Sequence, residues 1–520
     1  MARTRSVGSI RKLPSGRYQA CSWHLAKLVA AGHDVQRGNR APTSRAGRIS
    51  PVSDDLTTKS ESLTSTESMP RPWNASDRRV PRTVVRPIRR FADTEAAGGV
   101  AMLMTAVVAL IWANSPLGDS YVELWETLIS VHLGDLIHID LDLRGWVNDL
   151  AMAIFFFVVA LEIKRELVRG ELRDPRAAAL PALAAVGGMI VPATIYALFN
   201  VGSAGADGWG IPMATDIAFA VGVLSLLGRR VPSSLVVFLL TLAIVDDLGA
   251  IVVIAVFYTT GLSFGWLAVG VGCIVAAVVL NRSDVRSLVP YFMLAVFCWL
   301  ALHESGVHAT LAGVAFGLVT PSHAFVRPKH FGPRARDLVA RFEVAQAAED
   351  RSSGRDEEAL EADALNELIT LSAESQPPLD RIEHRLLPWT TFVIVPIFAL
   401  ANAGVRVSWD DLTGAFSEPV TLGVLLGLVV GKPIGIMVFS VLAVRLRIGK
   451  QPAGATWPQL LGVGMLGGIG FTVALFVTEL AFEPGTLADQ AKIGILAASA
   501  IAGTAGYLYL RAIGRDPDAD

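Results

Sequence analysis

Residues 235–258 read LVVFLLTLAIVDDLGAIVVIAVFY, a long apolar run with two aspartates, Asp246 and Asp247, side by side at its middle. A hydrocarbon core is crossed by roughly 20 apolar residues in a helix, so this stretch is long enough to span a bilayer. About a dozen largely apolar residues flank the pair on each side, which argues against an Asp pair at a helix end in the interface. A charge at the bilayer centre costs roughly 2.5–3.5 kcal/mol on insertion scales, so carboxylates placed there mark a functional site by default.

The same reading extends along most of the chain. Of 520 residues, 52% are hydrophobic and only 18% charged, and from about Gly98 onward the apolar residues fall into runs of spanning length. Twelve spans are expected, at approximately 95–114, 146–164, 177–200, 206–227, 233–258, 264–280, 288–302, 306–319, 386–404, 421–443, 459–480 and 489–511. Gly and Pro recur inside them (Pro192, Pro212, Pro396, Pro433, Gly467, Gly468), which would break soluble helices but is tolerated in membrane helices. Cys21, Cys273 and Cys298 have neither metal-type nor disulfide-framework spacing.

Charge divides the chain into zones. Residues 1–90 carry 18 Lys and Arg against 6 Asp and Glu, a net +12, with no apolar stretch able to span or to act as a signal peptide. Residues 1–92 therefore read as a disordered basic cytoplasmic tail; anionic lipid is a candidate contact, a solvated tail is the simpler reading, and no nucleic-acid partner is expected. Residues 93–515 form the twelve-helix domain, with a charged, partly helical cytoplasmic insertion at about 322–384, and 516–520 a short C-terminal tail. Placed on alternating loops, the basic residues divide 23 to 3, which puts both termini in the cytoplasm by the positive-inside rule and the chain in a bacterial inner membrane.

Few ionisable groups lie inside the spans, and each asks for a reason. Two ionised carboxylates as close as Asp246 and Asp247 repel one another in low dielectric, so the pair takes up protons or a cation. Hard alkali cations prefer oxygen ligands, and Na⁺ and H⁺ competing for this one site would couple two fluxes. Successive helix residues point about 100° apart, so the two carboxylates have different roles. Asp216 lies in GIPMATDIAFAVG, where Gly210, Pro212 and Thr215 interrupt a span, and LGGIGFTVALF, with Gly467, Gly468, Gly470 and Thr472, interrupts the eleventh. Paired interruptions in two halves of a chain point to a transporter's binding site, which makes spans three to five and ten to twelve candidate inverted repeats. Asp216 would then offset the positive N-terminal ends of half-helices, and Lys432 the negative C-terminal ends. Lys432, in VVGKPIGIMV, needs a partner so deep in the membrane, and Asp246 or Asp247 is the expected one. Asp149 and His308 lie near the ends of their spans, where each either lines an access funnel or caps its span.

With these residues placed, the sequence resembles the NhaA family of sodium/proton antiporters over about residues 90–515, through WVNDLAMAIFFFVVALEIKREL, PMATDIAFAVG, LAIVDDLGAI, SGVHATLAG, PIFALANAG, GKPIGI and GGIGFTVALF. The resemblance implies an all-α polytopic fold of twelve transmembrane helices built as inverted repeats, with two crossed discontinuous helices. It implies Na⁺ at Asp246 and Asp247, with Asp216, Thr215, Lys432 and the glycines at the crossing, and an electrogenic exchange of two protons for one Na⁺ or Li⁺ by alternating access, serving pH and sodium homeostasis. It further implies a pH-responsive cytoplasmic cluster at Glu162, Lys164, Arg165, Glu166, Glu383 and His384, a pH-linked His308, and a homodimer. The expected partners are thus Na⁺, Li⁺, H⁺ and membrane lipid, with no cofactor and no enzymatic activity.

Three features depart from the pattern: the basic tail, an insertion of some 45 residues before the ninth span, and Leu387 where a second histidine is frequent. The alternative reading is a cation-coupled solute symporter on the same fold, but the spans offer few polar groups for an organic substrate. An intramembrane aspartyl protease pairs carboxylates from two different helices, which adjacent Asp246 and Asp247 cannot do.

Overall fold

The computed structural model describes residues 96–133, 137–259, 261–349, 355–406, 414 and 416–514. The tails 1–92 and 516–520 lie outside the described residues. The chain opens with α1 (Ala96–Ala113), which turns by 114° into the short α2 (Gly118–Trp125). A hairpin of β1 (Leu128–Leu133) and β2 (Ile137–Asp142) then leads into α3 (Leu143–Arg169) and α4 (Pro175–Asn200). A tight 3₁₀ segment, Ala206–Met213, precedes α5 (Ile217–Ser225) and α6 (Ser233–Phe257), the helix carrying the Asp pair. α7 (Phe264–Arg282), α8 (Leu288–Glu304) and α9 (Thr310–Val319) follow. The charged insertion holds α10 (Pro328–Glu349) and α11 (Arg355–Glu374), which pack against each other. The last third is α12 (Pro378–Asn402), α13 (Pro419–Arg445), α14 (Trp457–Leu466), α15 (Phe471–Ala481) and α16 (Thr486–Ile513).

Every one of the twelve expected apolar stretches is helical, but they do not all have spanning length. Among the described residues, eight helical stretches are long and apolar enough to cross a membrane, the 3₁₀ segment and α5 counting together as Ala206–Ser225, or ten when each of two bent pairs is one span. α8 and α9, with 17 and 10 residues, are apolar but shorter. At 1.5 Å per residue a ten-residue helix reaches only about half of a 30 Å core. The hairpin is the other departure, because the sequence reads as all-helical. Its signal is alternation: Ile137, Ile139 and Leu141 interleave with His138, Asp140 and Asp142, the period of a strand and not of a helix. Trp146 Nε1 donates to Ile129 O at 2.9 Å and fastens the hairpin to the start of α3.

Glycine and proline shape the helices where the site is built. α4 and α13 cross at Gly187 and Gly435, and a Cβ on either would run into the other's backbone carbonyl. Small residues at such crossings let membrane helices pack backbone to backbone. Among the described residues, three helices contain a π-type turn: α3 at Val147–Ala151, α12 at Thr390–Ile394 and α13 at Gly427–Gly431. The last ends at Gly431, one residue ahead of Lys432 and two ahead of Pro433, whose ring cannot sit in a regular i→i−4 ladder.

Burial gathers into three clusters. One includes Phe156, Phe398 and Phe476 and joins α3, α12 and α15; a second, with Leu180, Leu239, Ile436 and Leu466, joins α4, α6, α13 and α14. The third, around Ala153, Cys298, Trp299 and Phe316, joins α3 to α8 and α9. Val269, Val271, Val275 and Val279 of α7 are exposed, an apolar exterior of the kind that faces lipid. The protein is thus an all-α polytopic membrane protein with one small hairpin among the described residues.

Candidate functional site

The two interrupted helices meet at their interruptions. Asp216 N donates to Ile469 O at 2.7 Å, and Thr215 Oγ1 donates to Gly467 O at 2.9 Å, so the break before α5 lies directly on the break between α14 and α15. Such a break is costly in a membrane because it frees N–H groups at one half-helix and carbonyls at the other. Here one side chain meets both sets of N–H groups. Asp216 Oδ1 accepts from Phe219 N at 3.0 Å at the start of α5, while its Oδ2 accepts from Thr472 N at 3.1 Å and Thr472 Oγ1 at 2.7 Å at the start of α15. The freed carbonyls are met by cation and hydroxyl: Lys432 Nζ donates to Met213 O at the end of the 3₁₀ segment, and Thr215 covers Gly467 O at the end of α14.

Lys432 brings the Asp pair into this arrangement. Its Nζ contacts Asp246 Oδ2 at 2.6 Å, and both side chains are fully buried. Asp247 is turned away from that pairing by the helical step; it is 4% exposed, and its buried Oδ1 accepts no hydrogen bond from a described residue. Asp246 Oδ1 is likewise buried without a hydrogen-bond partner among the described residues. Two neighbouring carboxylates thus each hold one uncommitted oxygen at the junction of four half-helix ends. Hard cations and protons both seek such atoms.

The remaining expected residues do not all join this centre. Arg165 gathers three carboxylates near the end of α3: Glu162 at 3.5 Å, Glu166 at 3.7 Å, and Glu383 of α12 in direct contact. Lys164 points elsewhere, with Nζ at 2.6 Å from both Leu318 O and Thr320 O, where it serves the free carbonyls at the end of α9. His384 is exposed. His308 is at the other end of the helices, its Nε2 2.7 Å from Tyr258 O just after α6. Asp149 lies in the π-type turn of α3 and faces α8: its Oδ2 is 3.2 Å from His303 Nδ1, and its carbonyl accepts from Trp299 Nε1 at 3.2 Å. Gly467, Gly468 and Gly470 lie at the α14–α15 break, where a side chain on Gly468 would strike Leu428 O.

Several contributors escape a reading of the sequence. Thr472 is visible there only as part of an interruption, and the Met213 carbonyl carries no sequence signal at all. His303 closes an apolar run and looks like a cap until Asp149 is seen beside it. Arg169 pairs with Asp380 through two hydrogen bonds, at 2.7 and 2.8 Å, and makes a second tie between α3 and α12.

Known proteins resemble the chain over most of its length. Residues 89–510 match the family described as Na⁺/H⁺ antiporter 1. The chain is 46% identical over 444 residues to the Na⁺/H⁺ antiporter NhaA of Oleidesulfovibrio alaskensis, covering 84% of this chain and 96% of that one. It is 45% identical over 427 residues to the Na⁺/H⁺ antiporter NhaA of Syntrophobacter fumaroxidans, covering 82% and 90%, and 44% identical over 428 residues to that of Helicobacter pylori, covering 82% and 95%.

Proposed function

Because the chain belongs to the Na⁺/H⁺ antiporter 1 family, we propose that it exchanges Na⁺ or Li⁺ for protons by alternating access, with Asp246 and Asp247 as the competitive binding site. The single observation that carries this reading is the pair of uncommitted carboxylate oxygens beside a buried ion pair with Lys432. A cation arriving between Asp246 and Asp247 replaces Lys432 as the counter-charge of Asp246 and expels the proton from Asp247. Exchange of one proton for one Na⁺ would move no net charge. Electrogenic exchange of two protons needs a second donor, and Lys432, released from Asp246, is the adjacent group able to give one.

Asp216 and Thr215 act here by holding the crossed breaks, so that the cation meets carboxylates and not stray helix ends. The cluster around Arg165 is the proposed pH-responsive element, with its Arg-rich end in the cytoplasm of a bacterial cell. The Asp pair is expected to bind no other metal, and the proposed assembly is a homodimer in lipid.

The test is proton release from everted vesicles on addition of Na⁺, Li⁺ or K⁺. Wild-type protein is expected to respond to Na⁺ and Li⁺, and Asp247→Asn to lose the response to background. Undiminished Na⁺-driven proton release in Asp247→Asn would overturn the mechanism.

A further inference from the structure

A second lysine–carboxylate pair lies on the same helix face as the first site. In the first turn of α15 Thr472 is bound to Asp216, and the residue seven further on is Glu479, two turns or about 10 Å along the helix. Between them on that face, Phe476 is buried, its ring tilted against Phe156 at 5.2 Å and Phe398 at 6.3 Å between centroids, an apolar plug drawn from three helices. Beyond the plug, toward the end of the molecule that carries the hairpin, Glu479 contacts Lys492 of α16 at 2.7 Å. Their side chains are only 11% and 7% exposed. Asp489 stands one turn before Lys492 on α16, and Arg144 of α3 and Tyr121 of α2 lie within electrostatic reach of Glu479 or Asp489.

The arrangement repeats the chemistry of the first site: a buried lysine, a paired carboxylate and a second carboxylate close by. A merely structural role explains it poorly. α15 and α16 are joined by a short connection and already pack through apolar and small residues, and a buried ion pair commonly stabilises less than an apolar pair of similar volume. Ionisable groups buried within membrane segments are functional candidates by default. We infer that Glu479, with Asp489, is a second exchange station for a monovalent cation or a proton on the hairpin side of the Phe476 plug. Lys492 is its tethered counter-ion, displaced from Glu479 when the travelling ion arrives. The station takes ions leaving or approaching the Asp246–Asp247 site through that side, and the inference rests on the antiport reading of that site.

The test measures the KM for Na⁺ presented at each face separately, in right-side-out and everted vesicles, for wild type, Glu479→Gln and Glu479→Gln with Lys492→Met. Asp247→Asn serves as the inactive control. Glu479→Gln is expected to raise the KM at the hairpin face about tenfold, a change of about 1.4 kcal/mol, and to leave the opposite face within about twofold. The double variant removes the unpaired lysine, so its thermal midpoint should return toward wild type while the one-sided KM defect persists. Recovery of wild-type KM at both faces in the double variant would make the pair a staple and overturn the station. An equal KM rise at both faces in Glu479→Gln would overturn it as well. Wild-type vesicles with no Na⁺-driven proton movement would remove the antiport reading and the station together.

Discussion

Lys432 is sealed in this conformation: its ammonium is buried, and its two partners, Asp246 and the Met213 carbonyl, are buried with it. Removing the cation strands a carboxylate and a helix-end carbonyl in low dielectric. Lys432→Ala is therefore expected to cost about 3–5 kcal/mol, as for other broken buried pairs, and to lower the thermal midpoint in detergent; an unchanged midpoint would show that the pair is not what holds the crossing. Thr472 tests the next layer. Its hydroxyl supplies one of three hydrogen bonds to Asp216, and valine keeps the shape while removing that bond. Losing a hydrogen bond to a buried charge costs about 1.5–3 kcal/mol, so Thr472→Val is expected to lower the stability measured by thermal unfolding in detergent by about that amount. Thr472→Ser should stay near wild type; equal defects in both would assign the effect to packing. The charged members of this site are legible in the sequence because an Asp or Lys within an apolar run must be explained. Thr472 is not, because threonine is an ordinary resident of membrane helices. The Met213 carbonyl cannot be, since every residue has one and only the fold decides which is left free.

Helices are read from apolar length, and what length does not encode is how closely they pack. α4 and α13 approach until Gly187 and Gly435 share the space that two side chains would need, while a Cβ added at Gly265 on α7 would meet no heavy atom within 4 Å. Gly435→Ala is accordingly expected to cost about 1–3 kcal/mol or more through overpacking, with Lys432, one turn away, displaced from Asp246. Gly265→Ala should stay within about 0.5 kcal/mol of wild type. Thermal midpoints and Na⁺-driven transport of the two variants check the contrast, and similar outcomes would mean the crossing is looser than the structure has it. The same limit explains the elements whose extent or type differs from the sequence expectation. α9 is apolar but only ten residues long, because residues 306–309, apolar enough to read as part of a span, form a turn in which Gly306 takes a φ of +79°. The hairpin lies between two spans in a loop where charge is the stronger signal and masks the alternation at Ile137–Asp142.

At the scale of the whole molecule, the question is which parts move past which. The interruptions carried by α4 to α6 and by α13 to α16 are hydrogen-bonded to one another, so these helices are tied into one body at the site. α3 and α12 lie outside that unit and are tied to each other at the Arg-rich end by Arg165 with Glu383 and Arg169 with Asp380. Part of the contact between the two bodies is of another kind: Phe156 and Phe398 from α3 and α12 meet Phe476 of α15 ring against ring. Dispersion and apolar burial have little directional preference, so such a surface can slide where hydrogen-bonded junctions cannot. Alternating access by rocking of one body on the other then predicts two different responses to covalent linkage. Joining Arg169→Cys to Asp380→Cys with a short thiol reagent links residues of one body and should leave Na⁺-driven proton exchange intact. Linking Phe156→Cys to Phe476→Cys clamps the two bodies together and should reduce exchange to background, with reductant restoring it. Continued transport in the second linked protein would mean that α15 does not move against α3, and the division into bodies would have to be drawn elsewhere.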